Sequence, residues 1–170
     1  MNVVETPRLV LRQLDAGDAP FILELLNDPT WLQFIGDRGV KTLEDARTYI
    51  QNGPVASYAK HGFGLWLVAR KADDTPIGIC GLLKRDTLED ADVGFAFLQR
   101  YQGQGFASES AAATLAHGRD RLGLKRILAV TQPGNAGSVR VLEKLGLRYE
   151  KMVQLSPTAP PIKLFAINFC

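Results

Sequence analysis

Two short segments carry residues whose types and spacing could do chemistry. Gln102-Gly103-Gln104-Gly105-Phe106-Ala107-Ser108 stands where a strand ending near Leu98 feeds a helix beginning near Phe106. Such a turn leaves the first helical N–H groups unpaired and converging on one spot, where the helix dipole also favours negative charge. A pyrophosphate fits there. Gly103 and Gly105 permit close backbone approach, and Ala107 and Ser108 are too small to obstruct it; a glycine turn without a ligand would be spelled the same way. Two nucleotide-loop spellings are absent. No Gly-x-x-x-x-Gly-Lys run occurs, and Gly-x-Gly-x-x-Gly would need glycine where Ser108 stands. The second segment, Asn135-Ala136-Gly137-Ser138, precedes a short helical pattern, and Asn135 also suits the N-cap of that helix.

Charge is unevenly placed around these segments. The chain has 170 residues, with 20 Lys plus Arg against 18 Asp plus Glu, a formal +2. Residues 119–151 nevertheless hold eight bases (Arg119, Arg121, Lys125, Arg126, Arg140, Lys144, Arg148, Lys151) and three acids (Asp120, Glu143, Glu150), which could face an anion. Asp86, Glu89, Asp90 and Asp92 form the opposite run, where a cation could be welcome. Ordinary solvated surface would account for both. The near-neutral total gives no reason to expect a nucleic-acid partner, and no apolar run approaches the ~20 residues of a membrane helix. His61 and His117 lack metal-ligand spacing, so no metal is expected. Cys80 and Cys170 are expected as free thiols, and the absence of a secretory pattern points to the cytoplasm.

The elements that must position these residues follow from periodicity. A length of 170 residues and 46% hydrophobic content suit one domain spanning 1–170. Residues 8–12 read as a first strand, followed by a helix over 16–27 behind Asp15 and stopped by Asn27-Asp28-Pro29. Thr42-x-x-Asp45 begins a second helix that Gly53-Pro54 ends. Period two then marks strands at 64–70 and 77–83, an antiparallel pair, and at 92–98. A helix over 107–122, a strand over 126–131, a helix over 136–145 and strands over 147–155 and 162–169 complete the order. The expected class is α/β (α+β): a mixed, mostly antiparallel sheet of about seven strands with helices on both faces.

With this order in place, Gln-x-x-Gly-x-Ala over Gln102–Ala107 resembles the acyl-CoA pyrophosphate loop of the GNAT N-acetyltransferase superfamily. Asn135-x-x-Ser138 leading into Glu143-Lys144-Leu145-Gly146 resembles the branch that acetylates ribosomal-protein N-termini. So do Thr6-Pro7-Arg8-Leu9-Val10-Leu11-Arg12 and Asp92-Val93-Gly94-Phe95. The likeness covers nearly the whole chain. It implies a sheet splayed between the fourth and fifth strands, 92–98 and 126–131. Acetyl-CoA would be the co-substrate, without metal, and the backbone N–H groups of Phe95 and Phe97 would meet pantetheine and the thioester carbonyl.

The resemblance also implies that Gln102 through Ser108 bind the pyrophosphate and that Asn135 and Ser138 line the CoA channel, with Ser138 near the sulfur. From the local positive charge, Arg140, Lys144 or the bases at 119–126 are expected on the adenosine phosphates. The family often places a Tyr seven residues after the Asn as the acid for the leaving thiolate; here that residue is Leu142, so Ser138 or water would serve. Asp92 is the candidate base, able to draw an amine proton through ordered water, ahead of His61 and of a structural Glu109. The acceptor would be a protein N-terminal amine or a small amine, taken in a ternary complex by a monomer or homodimer. A non-catalytic acyl-CoA-binding regulator and a module with an empty turn are the rival readings. Acceptor choice falls to residues 27–63, where Trp31, Phe34, Ile35 and Phe63 could be pocket or core.

Overall fold

Helix starts in this chain are written in acidic and hydroxyl side chains. Asp15 accepts from the Gly17 N–H at 2.8 Å, and Asp18 returns a bond from the Asp15 N–H at 3.0 Å. This box opens a 3-10 turn, Ala16–Asp18, that runs into helix α1, Ala19–Leu26. The expected stop at Asn27-Asp28-Pro29 does end α1, but Asp28 also caps a helix absent from the sequence reading, α2, Pro29–Phe34. Helix α3, Leu43–Ile50, begins at Thr42, whose hydroxyl accepts from the Asp45 N–H while Asp45 accepts from the Thr42 N–H. Gly53-Pro54 does not end it. A five-residue π-helical segment, Gln51–Val55, carries Pro54 and continues into α4, Ala56–His61. The wider turn accommodates a residue with no N–H to give.

The computed structural model describes residues 2–169, so the expected thiol at Cys170 lies outside the described residues. The strands are β1, Asn2–Glu5; β2, Leu9–Arg12; β3, Leu65–Arg70; β4, Thr75–Leu83; β5, Asp92–Phe97; β6, Arg126–Thr131; β7, Arg148–Val153; and β8, Ile162–Asn168. They form one sheet in the order β1-β2-β3-β4-β5-β6-β8-β7. Every neighbouring pair is antiparallel except β5 with β6. The sheet thus has eight strands where about seven were expected. The additional one is β1, too short and too exposed to show a period. Helices α5, Phe106–Asp120, and α6, Ala136–Lys144, complete the set.

Alternation along the strands divides the core between two faces. Leu9, Leu11, Trp66, Val68, Cys80, Leu82 and Val93 pack with Ala111 and Leu115 of α5. Leu67, Ala69 and Ile79 turn the other way, onto Ile22, Leu25, Ala46 and Ile50 of α1 and α3. Helices therefore cover both faces. Cys80 is fully buried against Thr114 at 3.4 Å, and burial pushes its thiol up to about 11, where it is inert. Gly81 lets β3 pass close by; a Cβ there would lie 2.1 Å from the Gly64 carbonyl oxygen. No helix among the described residues is long and apolar enough to cross a membrane.

Candidate active site

Strands β5 and β6 separate almost as soon as they meet. Their one register position is Asp92 against Leu128, fixed where the Leu128 N–H donates to the Ala91 carbonyl at 2.9 Å. On its other side β5 pairs with β4 throughout, from Asp92 opposite Leu83 to Phe97 opposite Gly78. Ala91 directs its carbonyl toward β6, whereas Leu98 directs its N–H to Ile77 at 3.0 Å on the β4 side. Strand alternation turns the N–H groups of Val93, Phe95 and Phe97 to that side; Val93 adjoins the register position with Leu128, and Phe95 and Phe97 beyond it face the open edge. These are the donors expected at Phe95 and Phe97.

The open edge leads to the glycine turn. Gly103 and Gly105 adopt φ of +77° and +84°, a left-handed backbone that strains any other L residue. Gly105 is the N-cap of α5, so no side chain satisfies the first-turn N–H groups. Arg8, 101 residues away from Glu109 in sequence, fastens this turn to the β1–β2 connection. Its Nε donates to Glu109 at 2.7 Å, its Nη1 to the Gln104 carbonyl at 3.0 Å, and its guanidinium lies 4.4 Å from the Phe106 ring centroid. Glu109 also accepts from Thr6 Oγ1 at 2.5 Å. Desolvation pushes the Glu109 carboxyl up, but the bonds from Thr6 and Arg8 outweigh it and hold the group below its usual range. Glu109 is structural, as expected. The role of Arg8 was missed, because nothing local couples two residues so far apart.

A cleft of about 1010 Å³ runs along the open edge. Its lining takes in Asp92, Phe95, Phe97, Gln102, Gly103, Gly105, Phe106, Ala107, Ser108, Asn135, Ser138 and Lys144. Gln104 is not among the lining residues and contributes its carbonyl to Arg8 instead. The Gln102 side chain donates inward, to the Phe97 carbonyl at 3.0 Å, so it ties the turn to the end of β5. Asn135 Oδ1 accepts from the Ser138 N–H at 3.2 Å, the capping role its type foretold, and Leu142 lies behind it, 1% exposed.

Of the positive stretch, Arg140 and Lys144 reach the cleft. Arg119 and Arg126 are engaged elsewhere, with Asp120 at 2.7 Å and with Glu150 at 2.5 Å. Two members of the acidic run are likewise engaged: Asp90 meets Arg126 at 3.6 Å, and Asp92 Oδ1 accepts from Arg85 Nε at 3.0 Å. Asp92 marks the apex of the splay and is 1% exposed. Burial raises its carboxyl, and the charge of Arg85 only partly offsets this. Arg85, omitted from the sequence reading, is therefore part of the site.

Trp31, Phe34 and Ile35 of α2 and its C-terminal end line the cleft with Arg38 and Tyr49, whereas Phe63 belongs to the core that includes α5 residues. His61 stacks on Phe63, ring centroids 5.5 Å apart, and is absent from the lining. Among the described residues, no group of three or more His, Cys, Asp or Glu side chains could hold a metal.

Residues 8–148 match the family model described as an acetyltransferase (GNAT) domain. The chain is 31% identical over 147 residues to the uncharacterized N-acetyltransferase YnaD of Bacillus subtilis, covering 86% of this chain and 83% of that one. A crystal structure of a GNAT-family acetyltransferase from Bacillus anthracis superposes with a TM-score of 0.81 at 27% identity, covering 99% of this chain and 98% of that one. RimL, a ribosomal L7/L12 alpha-N-protein acetyltransferase in complex with coenzyme A, shares the fold at a TM-score of 0.84 and 19% identity, with 99% and 98% coverage. The sheet, the splay and the glycine turn are thus those of an acyltransferase, and the chain belongs to the GNAT acetyltransferase family.

Proposed function

We propose that the protein transfers acetyl from acetyl-CoA to a primary amine by direct attack within a ternary complex, and that the amine is a protein N-terminus. The observation that carries this reading is the open edge of β5 running into the uncapped N-terminus of α5. Pantetheine can pair with that edge as an added strand, the pyrophosphate can take the first-turn N–H groups of α5, and Arg140 and Lys144 can meet the remaining phosphates. Bound acetyl-CoA supplies an acetyl thioester open to attack by an amine. The chain supplies orientation and charge. An N–H of Phe95 or Phe97 polarises the carbonyl, a contact that needs a preformed donor rather than a particular side chain.

In the transfer the amine nitrogen forms the N–C bond as the C–S bond breaks, and sulfur leaves with the bonding pair. The proton shed by nitrogen passes through water toward Asp92 at the cleft floor, and an equivalent proton ends on sulfur from the Ser138 hydroxyl or water. A carboxyl raised by burial stands closer to the pKa of an amine than an exposed one, which suits that relay. RimL, named as an alpha-N-protein acetyltransferase, supports the acceptor class through its shared fold.

Asp92→Asn tests the relay. Arg85 is 32% exposed at its side chain, so it can turn to solvent when the carboxylate is removed, and folding and CoA affinity should survive. Turnover on a peptide amine should fall by ~10²–10⁴. A wild-type rate would remove Asp92 from the chemistry.

A further inference from the structure

The part of the cleft lined by α2, α3 and the β4–β5 connection has a distinctive charge. Besides Arg140 and Lys144, the ionisable lining of the cleft is Arg38, Arg85, Asp92 and the phenols of Tyr49 and Tyr101. Asp92 and Arg85 neutralise one another. Arg38, exposed in the turn between α2 and α3, is left uncompensated, since no carboxylate among the described residues pairs with it. Three aspartates on the neighbouring elements are committed, and Glu44 of α3 is not among the cleft lining. Asp37 pairs with Lys41 at 3.2 Å and accepts from the Gly39 N–H, Asp28 caps α2 and accepts from the Gln99 N–H at 3.0 Å, and Asp45 caps α3. Lys84, beside Arg85, is bonded to the carbonyls of Arg85 and Leu88.

Around Arg38 the walls are apolar or phenolic. Trp31 is buried, its indole N–H donating to the Gly36 carbonyl at 3.1 Å, while Ile35 is 37% exposed. Arg38 and Tyr49 line the same cleft, and although burial pushes the Tyr49 phenol up, the charge of Arg38 partly offsets it. A polycationic amine would meet a net positive wall here and no available acid. An amine carrying an anionic group would meet a cation with nothing else to bind.

We infer that Arg38 selects the acceptor: the amine substrate carries an anionic group a few bonds from the reacting nitrogen, held by the Arg38 guanidinium beside the Tyr49 hydroxyl. The inference rests on the amine-acetyltransferase reading above. For a protein N-terminus the anion is an Asp or Glu side chain, or a phosphorylated Ser, in the first few residues.

Matched peptides beginning with Ala or Ser, with Asp, phosphoserine, Gln or Lys at the second to fourth positions, test it through CoA thiol release. For the wild type kcat/KM should favour the acidic peptides over the Lys peptides by roughly tenfold, the worth of one charge-assisted contact. The Asp and phosphoserine arms distinguish carboxylate from phosphate. Arg38→Gln should flatten the preference and Arg38→Glu invert it, with CoA affinity unchanged. A preference indifferent to both substitutions would overturn the assignment. Calorimetric binding of the same peptides in N-acetylated form to the CoA-loaded protein supplies a second readout. Acid-selective binding reversed by Arg38→Glu supports Arg38 even if no peptide is turned over, an outcome that would instead count against the transfer reading. Equal binding of acidic and basic peptides overturns the inference.

Discussion

Single residues in this site are committed twice, once to structure and once to the cleft. Asn135 caps α6 and lines the cleft; Gln102 lines it and holds the end of β5. The first double role was legible, because Asn before a helical pattern is an N-cap by type. The second was not, since the spelling of the turn says nothing of where an amide points. Arg8 and Arg85 were hidden for different reasons. Arg8 acts on residues a hundred positions away, and Arg85 stands just ahead of the acidic run whose buried member, Asp92, it neutralises. Glu109 yields a pH prediction at this scale. Its folded-state pKa lies below the unfolded value, so its contribution is fully present above the unfolded pKa of ~4.3 and is lost as pH falls through the folded value. Glu109→Gln should therefore cost about 1–2 kcal/mol near neutrality, discounted for the half-exposed Arg8, and less in acid once the folded-state carboxyl is protonated. Urea midpoints at the two pH values measure it, and an equal loss at both would contradict the pairing account.

At the scale of elements, type was easier to read than number. Period-two runs located β3, β4 and β5, a continuous apolar run located β6, and the helical spacing of Ala111, Leu115 and Leu122 located α5. What failed were the elements whose stability is tertiary. Strand β1 is four residues of exposed and half-buried positions held by β2, and α2 is six residues behind a proline that equally signals a stop. Pro54 misled in the same manner, since a π-helical turn is invisible to a rule written for α-helices. The glycine turn is the element on which the proposed CoA binding rests. A side chain at Gly105 would be strained at φ +84° and its Cβ would lie 3.3 Å from Arg8 Nη2. Gly105→Glu should abolish measurable CoA binding while circular dichroism still reports the folded sheet. Unchanged affinity would place the anion elsewhere.

For the molecule as a whole, the sheet opens as a wedge: β1 to β5 hold one another in register on one side, β6, β8 and β7 on the other, and β5 presents an unpaired edge to the cleft between them. The splay, expected only through the family resemblance, has a visible cause in the single register position of β5 with β6. Acetyl-CoA and CoA should raise the melting temperature, with a gain of about 2.7 kcal/mol at ~100 times the dissociation constant, whereas ATP and NAD should not. An equal response to ATP would contradict the turn's assignment. The most direct test of the central claim is steady-state thiol release with acetyl-CoA and a peptide amine varied together. Direct attack in a ternary complex predicts double-reciprocal lines that intersect and a stoichiometric N-acetylated product. Parallel lines, or thiol release independent of the amine, would contradict it.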